Sequence, residues 1–224
     1  MANQLDLQEQ EQLDDIKAFW KQWGNLITWL LTLVMLGFAA WNGWGWWQRD
    51  QAAKASGMFE AFDRAAQAGD VSKTAQAFDD LKERYPGTVF AGQAGLMAAK
   101  LLYEKGQADR ARTSLAWVAD KASDEDLRSI ARLRLAGMMI EAKQYDEAIK
   151  QLDATKANAF AALVADRRGD VLLAQGRPAD AKAAYLAAYK GMDERVGYRQ
   201  LVDAKLTALG AAPAASAAAS GAQP

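Results

Sequence analysis

The sequence predicts an all-α protein in which a single N-terminal transmembrane helix is followed by a solenoid of paired helices. An uncharged run of 27 residues, from Gln22 to Gln48, lies near the N-terminus. Beyond it, apolar residues recur at helical spacing, and no segment shows the alternation that is typical of a strand. A short turn sequence also returns at intervals of 37 and then 33 residues, which indicates an internal repeat.

The composition excludes most kinds of site chemistry. The chain has 224 residues and is 51% hydrophobic, which is enough for a real core in one or two domains. It contains no Cys and no His, so thiolate nucleophiles, disulfides, zinc fingers, His-ligated metals and Ser-His dyads are excluded. The net charge of -1 and the lack of a basic stripe argue against nucleic-acid binding. We therefore expect no catalytic residue, cofactor or metal.

The uncharged run has the length of a membrane span. About 20 helical residues cover the ~30 Å hydrocarbon layer of a bilayer, and the most apolar part here is Leu26 to Trp41. Tryptophan is favoured where a bilayer meets water, because its ring is apolar and its N–H is polar. The predicted lipid-interface anchors are Trp20 and Trp23 at one end and Trp41, Trp44, Trp46 and Trp47 at the other. The sequence before the span is acidic and about twenty residues long, unlike the basic start of a cleaved signal peptide.

Charge bias does not decide the orientation of the span. Two basic residues precede it, Lys17 and Lys21, and three follow closely, Arg49, Lys54 and Arg64. A difference of this size does not set topology when a long C-terminal domain follows. The predicted organisation is an acidic segment at 1–21, the transmembrane helix at 22–48, a repeat domain at 49–209 and a disordered Ala-rich tail at 210–224.

The repeated turns predict tetratricopeptide-like helical pairs, whose period is 34 residues. The turns begin at Gly106, Lys143 and Gly176. Where two helices cross closely, side chains must be small, and the repeat supplies small residues twelve apart, each followed four later by a large one. These sets are Ala99, Ala111 and Leu115; Ala136, Ala148 and Leu152; and Gly169, Ala181 and Tyr185. We expect pairs at about 53–86, 89–121, 126–155 and 159–191, then a closing helix at about 193–209, with Ser123 and Asp126 capping the third pair.

Four polar residues fall at or near positions that line the inner surface of such a repeat. They are Lys100, Tyr103, Asp166 and Asp170, and they form a candidate groove for binding a partner peptide. Asp166 and Asp170 also stand one helical turn apart, which is the spacing that an acid-pair hydrolase would use. The ordinary interpretation of this pair is a solvated helix face with local ion pairs.

The order of these features resembles the YfgM-like ancillary subunits of the bacterial SecYEG translocon. The resemblance depends on the stretch KAFWKQWGN before the span, on the span itself, and on VADRRGD at 164–170 within the repeats. It implies an inner-membrane protein with a cytoplasmic N-terminus and a periplasmic repeat domain. It also implies association with the SecYEG translocon, with the periplasmic chaperone PpiD and with exported polypeptides, and no enzymatic activity.

Two alternatives keep the same architecture and change the partner. Membrane-anchored repeats also serve as scaffolds for other envelope assemblies, such as those of cytochrome maturation or cell division. With the opposite topology, the repeat domain would face the cytoplasm and bind a regulator there.

Overall fold

The computed structural model describes residues 7–211, with side chains described from residue 12 onwards. Within that range it contains nine α-helices and one short 3₁₀-helix, with no strand, so the predicted all-α fold is confirmed. The chain divides into two units between Asp50 and Gln51. The tail predicted at 210–224 lies outside the described residues from 212 onwards, and the other predicted domain limits stay a prediction.

The helices follow one another with short connections. Their bounds are α1 Leu7–Gln67, α2 Val71–Arg84, α3 Val89–Glu104, α4 Ala108–Lys121, α5 Glu125–Glu141, α6 Tyr145–Asp153, α7 Ala161–Ala174, α8 Pro178–Gly191 and α9 Tyr198–Ala208, with the 3₁₀-helix at Asn158–Phe160. Helices α3 to α8 begin and end within a few residues of the predicted pairs.

Helix α1 extends well beyond the predicted span at both ends. The first Pro of the chain is Pro86, so the segments on either side of the apolar run contain no residue that would end a helix. In the first unit its apolar side chains are exposed: Leu30 is 59% and Phe38 71% accessible. A core helix of a globular domain would bury such side chains. Helix α1 is therefore long and apolar enough to be a candidate membrane span.

In the second unit, each helix from α2 onwards packs mainly against the helices next to it along the chain. Helix α5 also contacts α3 and α7, the first helices of the neighbouring pairs. These three helices therefore line one surface of the unit, as in tetratricopeptide stacks. The small sites predicted at Ala111, Ala148 and Ala181 are fully buried, which explains why the paired helices approach so closely.

One arginine joins the ends of two successive second helices. Arg132 on α5 donates from Nη1 to the Ala154 carbonyl, at 2.8 Å, and from Nη2 to the Ala119 carbonyl, at 3.0 Å. Both carbonyls lie at helix C-termini, α4 ending at Lys121 and α6 at Asp153, where backbone acceptors lack a partner within the helix. The guanidinium thus provides a hydrogen-bond donor to a carbonyl at each helix end and links the C-termini of α4 and α6.

The cap of α5 differs from the predicted one. Asp124, not Ser123, is the capping residue, and its carboxylate accepts from the N–H groups of Asp126 and Leu127 at 2.8 and 3.0 Å. Asp126 lies inside the first turn instead of forming a capping box. The helix therefore starts at Glu125, one residue earlier than predicted.

Each paired turn contains one residue in the left-handed region. Gly69, Gly106 and Gly176 have φ of 68°, 74° and 75°, whereas the corresponding residue between α5 and α6 is Lys143, with φ of 59°. A side chain in this conformation places its Cβ too close to the following carbonyl. Lys143 therefore has a strained backbone conformation at a turn position where the other three pairs have glycine.

Lys143→Gly is expected to raise the free energy of unfolding by about 0.5–1 kcal/mol, because glycine removes the strained Cβ contact. The net gain is smaller than the strain itself, since glycine also increases the conformational entropy of the unfolded chain. Denaturant unfolding followed by circular dichroism measures the change. Gly176→Lys is the matched control and should lower the stability by a similar amount. A destabilised Lys143→Gly variant would contradict this interpretation.

Candidate functional site

The inner surface of the repeat stack contains an open cavity of about 300 Å³ between α3 and α5. We call this cavity, with the shallower pocket beside it, the inner groove. The cavity is lined by Ala99, Lys100, Tyr103, Glu104, Leu115, Leu133, Arg134, Gly137, Met138, Glu141 and Arg167. The lining contains both apolar and charged side chains, which suits a ligand that has apolar and charged groups.

Two polar contacts lie beside the cavity of the inner groove. The Tyr103 hydroxyl donates to the Glu141 carboxylate at 2.5 Å, which joins α3 to α5 across the cavity. The hydrogen bond to Glu141 and the negative charge of that residue raise the pKa of the Tyr103 hydroxyl. Lys100 lies 3.8 Å from Glu104 on the same helix, an exposed pair that contributes little to stability.

Arg134 connects the cavity to a second pocket. Its Nη1 donates to the Leu96 carbonyl at 3.0 Å, and among the described residues it has no carboxylate partner. The second pocket, of about 260 Å³, is lined by Gln93, Leu96, Met97, Lys100 and Arg134. Lys100 and Arg134 therefore belong to both pockets and stand between them.

Asp166 and Asp170 lie elsewhere, in a polar cluster where α9 packs on α7 and α8. Lys205 Nζ lies 2.8 Å from Asp166 Oδ1 and 2.7 Å from Asp170 Oδ1. The Tyr198 hydroxyl donates to Asp166 Oδ2 at 2.8 Å, and the Tyr185 hydroxyl donates to Asp170 Oδ1 at 2.7 Å. The cluster thus closes the C-terminal end of the repeat stack with fully engaged carboxylates.

The expected solvated face is wrong for Asp166, which is only 1% exposed. Its two oxygens are taken by Lys205 and Tyr198, so it is not available to grip a peptide at the surface. Both carboxylates bind the Lys205 ammonium, and Asp170 also pairs with Arg167, so two positive charges face the two negative ones and neither carboxylate is left open to a substrate. The geometry therefore favours a structural role for Asp166 and Asp170. Within residues 12–211, no group of three or more acidic side chains is placed to hold a metal ion.

The two tyrosines of this cluster are hard to ionise. Burial, the hydrogen bond to Asp166 and the charge of that residue raise the pKa of Tyr198 to about 12. Burial and the bond to Asp170 raise the pKa of Tyr185 further still. Ionising either phenol would remove a donor and place a second negative charge beside a carboxylate.

This raised pKa predicts a loss of stability in alkali. A group whose pKa is higher in the folded state stabilises fully below its unfolded value, here about 10, and loses that contribution as the pH rises to about 12. The free energy of unfolding should therefore fall across this window. Tyr198→Phe should flatten the fall, whereas Tyr145→Phe, outside the cluster, should not. Urea unfolding at a series of pH values measures the slopes, and equal slopes for both variants would contradict the assignment.

The four residues predicted for the groove thus lie at two different places in the structure. Lys100 and Tyr103 line the cavity together, whereas Asp166 and Asp170 lie in the polar cluster. Arg167 is the link, because its guanidinium lines the cavity while Nη1 donates to Asp170 Oδ2 at 3.2 Å. Peptide binding by Lys100 and Tyr103 stays a prediction.

Sequence reasoning missed Arg134, Gly137 and Glu141 on α5. These residues recur every three or four positions and so share one face of a helix, but the sequence alone does not show that this face meets α3 across an open cavity.

The predicted tryptophan anchors are exposed on α1. Their accessibility ranges from 46% for Trp23 to 81% for Trp41. Trp44 and Trp47 contact each other, with ring centroids 5.1 Å apart. Along a helix, Trp23 and Trp41 are separated by about 27 Å, close to the hydrocarbon thickness of a bilayer. Their role as interface anchors stays a prediction.

Comparison with known proteins gives concordant results. A family model described as a tetratricopeptide repeat-like domain matches residues 17–211. A protein of Neisseria gonorrhoeae named ancillary SecYEG translocon subunit is 30% identical over 91% of this chain and 98% of its own length. A protein of the same name from Escherichia coli is 31% identical over 81% of this chain and 87% of its own. A Haemophilus influenzae protein, also of that name, is 29% identical over 80% and 87%.

Proposed function

Because this chain belongs to the tetratricopeptide repeat-like family of ancillary SecYEG translocon subunits, we propose that it works beside the SecYEG translocon as a non-enzymatic binding module. Helix α1 holds it in the inner membrane as a single span, with the N-terminus in the cytoplasm and the repeat domain in the periplasm. There the repeat domain links the translocon to the chaperone PpiD and aids exported polypeptides.

The proposal rests mainly on one observation: the same chain has an exposed apolar helix and a repeat domain with an open inner groove. Among residues 12–50, the large apolar side chains of α1 are mostly exposed, and a bilayer is an environment in which such side chains are stable. The family model matches residues 17–211, and the Neisseria gonorrhoeae protein aligns with 91% of the chain, so the likeness includes part of the first unit as well as the repeats.

Anchoring makes weak contacts sufficient. A repeat domain confined to the membrane plane meets neighbouring membrane proteins at a high effective concentration, without any additional contact. The mixed apolar and charged lining of the inner groove then needs only modest affinity for polypeptide segments that emerge nearby.

The orientation is testable because the chain has no Cys, so an introduced Cys is its only thiol. Gln12→Cys places a label site before the span, and Ser123→Cys places one in the exposed turn between α4 and α5. A membrane-impermeant maleimide, applied to cells with a permeabilised outer membrane, should label Ser123→Cys at once and Gln12→Cys only after lysis. The reverse pattern would overturn the periplasmic placement.

The partners are tested by purification in a mild detergent. The tagged full-length chain, isolated from membranes, should bring SecY, SecE, SecG and PpiD with it. A control chain in which the span is replaced by an unrelated transmembrane segment shows how much of this association depends on the repeat domain alone. Recovery of neither translocon subunits nor PpiD with the natural chain would remove the proposal's support.

A further inference from the structure

We infer that the inner groove receives an extended polypeptide segment in which an acidic side chain lies between two apolar side chains. The inference deepens the proposed function and rests on it only in taking the ligand to be a polypeptide. It assigns the carboxylate to Arg134 and the apolar side chains to the pockets on either side of that residue.

The first observation is a glycine that packing does not require. Inside the inner helices, a Cβ on Gly92, Gly95 or Gly169 would meet a neighbouring side chain within 3 Å. At Gly137, the nearest atom among the described residues is Arg167 Nη1, at 4.0 Å. Glycine in the middle of a helix lowers its stability, and where no neighbour demands it, the missing side chain leaves room for close approach of a ligand. Gly137 lies in the lining of the cavity.

The second observation is the charge of the inner groove. Three cationic side chains line the cavity, Lys100, Arg134 and Arg167, against two carboxylates, Glu104 and Glu141. Glu104 is near Lys100, and Glu141 accepts from Tyr103, so neither carboxylate reaches Arg134 among the contacts of the described residues. Among the described residues, the Arg134 guanidinium binds the Leu96 carbonyl alone, which leaves its remaining N–H groups for a fork-like bond to a carboxylate.

Arg167 is the second arginine in the lining of the cavity. Its Nε is buried and makes no hydrogen bond within the described part of the chain, although Nη1 is held by Asp170. Because Nε has almost no accessible surface, a ligand at the cavity meets the Nη side of the guanidinium, where Nη1 is the atom nearest to the space above Gly137, and it needs acceptors placed to bind these N–H groups. The carbonyl groups of an extended backbone are acceptors of this kind.

The third observation is the pair of apolar pockets on the two sides of Arg134. Leu115, Leu133 and Met138 form the floor of the larger cavity, and Leu96 and Met97 border the smaller pocket. Met97 is 37% exposed, so its apolar surface is open to a ligand in the smaller pocket. A segment crossing Arg134 therefore has an apolar site before and after its carboxylate. An apolar site on each side of Arg134 favours an internal Asp or Glu over a terminal carboxylate.

The test uses the full-length chain in detergent and fluorescein-labelled, C-terminally amidated peptides. Each peptide has one Glu between two Leu, at separations of one to three residues, in a Ser and Gly background, and a matched peptide has Gln in place of Glu. Fluorescence anisotropy should show binding of at least one Glu peptide, about tenfold weaker binding of its Gln partner, and a loss of about tenfold or more with Arg134→Gln. Gly137→Leu, which fills the cavity, should abolish binding.

Arg110→Gln is the matched control, because Arg110 is an exposed arginine of α4 that bonds only to Gln107 among its described contacts. It removes the same charge outside the inner groove and should leave the affinity unchanged. Equal losses for the two arginine variants, equal binding of Glu and Gln peptides, or no binding below about 1 mM would each overturn the inference. Circular dichroism confirms that every variant is folded. If the peptides fail while translocon subunits still copurify with the natural chain, this inference fails and the proposed function stands.

Discussion

Gly169→Ala is expected to lower the free energy of unfolding by about 3 kcal/mol, although alanine is the better helix former. A Cβ on Gly169 would lie 2.4, 2.6 and 2.9 Å from ring atoms of Tyr185, closer than carbon atoms pack. Tyr185 is almost fully buried, and its hydroxyl is hydrogen-bonded to Asp170. The ring therefore cannot shift away from a new Cβ without losing packing or this hydrogen bond. Denaturant unfolding followed by circular dichroism measures the loss.

Gly137→Ala is the matched control, since Gly137 also lies inside an inner helix and its nearest neighbour would be 4.0 Å from the new Cβ. This variant should be more stable than the natural chain by about 0.5–1 kcal/mol. The double variant Gly169→Ala with Tyr185→Leu should lose less than the sum of its parts, because the smaller side chain removes the clash. Equal stability of the two alanine variants would contradict the close crossing of α7 and α8.

Lys205→Met is expected to cost about 3–5 kcal/mol, the range observed when one partner of a buried ion pair is removed. Asp166 and Asp170 both bind this ammonium, and Asp166 lies in the protein interior. Methionine has a similar length but no charge, so it would leave two carboxylates near each other with only the tyrosine and arginine donors. Helix α9 should be the first element to lose its protection against hydrogen exchange.

Lys150→Met serves as the comparison, because Lys150 is exposed and pairs only loosely with Glu147, at 3.9 Å. Its loss should change the stability by less than about 1 kcal/mol. Adding Asp166→Asn to Lys205→Met should recover part of the lost stability, since it removes one of the two stranded charges. If the two lysine variants unfold at the same denaturant concentration, the polar cluster does not hold α9 in place.

The helical pairs could be predicted from the sequence because the features that specify them are local. Small residues at Ala111, Ala148 and Ala181, each followed by a large one four positions later, recur with the turns and need no knowledge of distant contacts. The structure buries all three, and Gly176 adopts the left-handed conformation expected of it, with φ of 75°. Pro178 likewise opens α8, where its missing N–H has no cost.

The polar cluster could not be predicted in this way. Asp166 bonds to Tyr198 and Lys205, which follow it by 32 and 39 residues. These residues meet because α9 packs against α8 and places Tyr198 and Lys205 beside Asp166 on α7, and no spacing in the sequence indicates that packing. The capping residue Asp124 was missed for a smaller reason: Ser123, Asp124 and Asp126 are all good capping residues, and the choice among them depends on the preceding turn.

The inner groove was predicted in part. Lys100 and Tyr103 were identified because repeat proteins of this class expose such positions, but the cavity depends equally on Arg134 and Gly137 from the next pair. An arginine and a glycine on a helix are common. Their position in the cavity lining becomes evident only from the packing of α3 beside α5.

The central claim is that α1 lies in the inner membrane against the SecYEG translocon. A photoreactive residue placed in turn at each position from 26 to 47, in living cells, tests it most directly. We predict crosslinks to a translocon subunit at positions three or four residues apart, which marks one face of a helix against a protein neighbour. Crosslinks to no translocon subunit at any of these positions would contradict the claim.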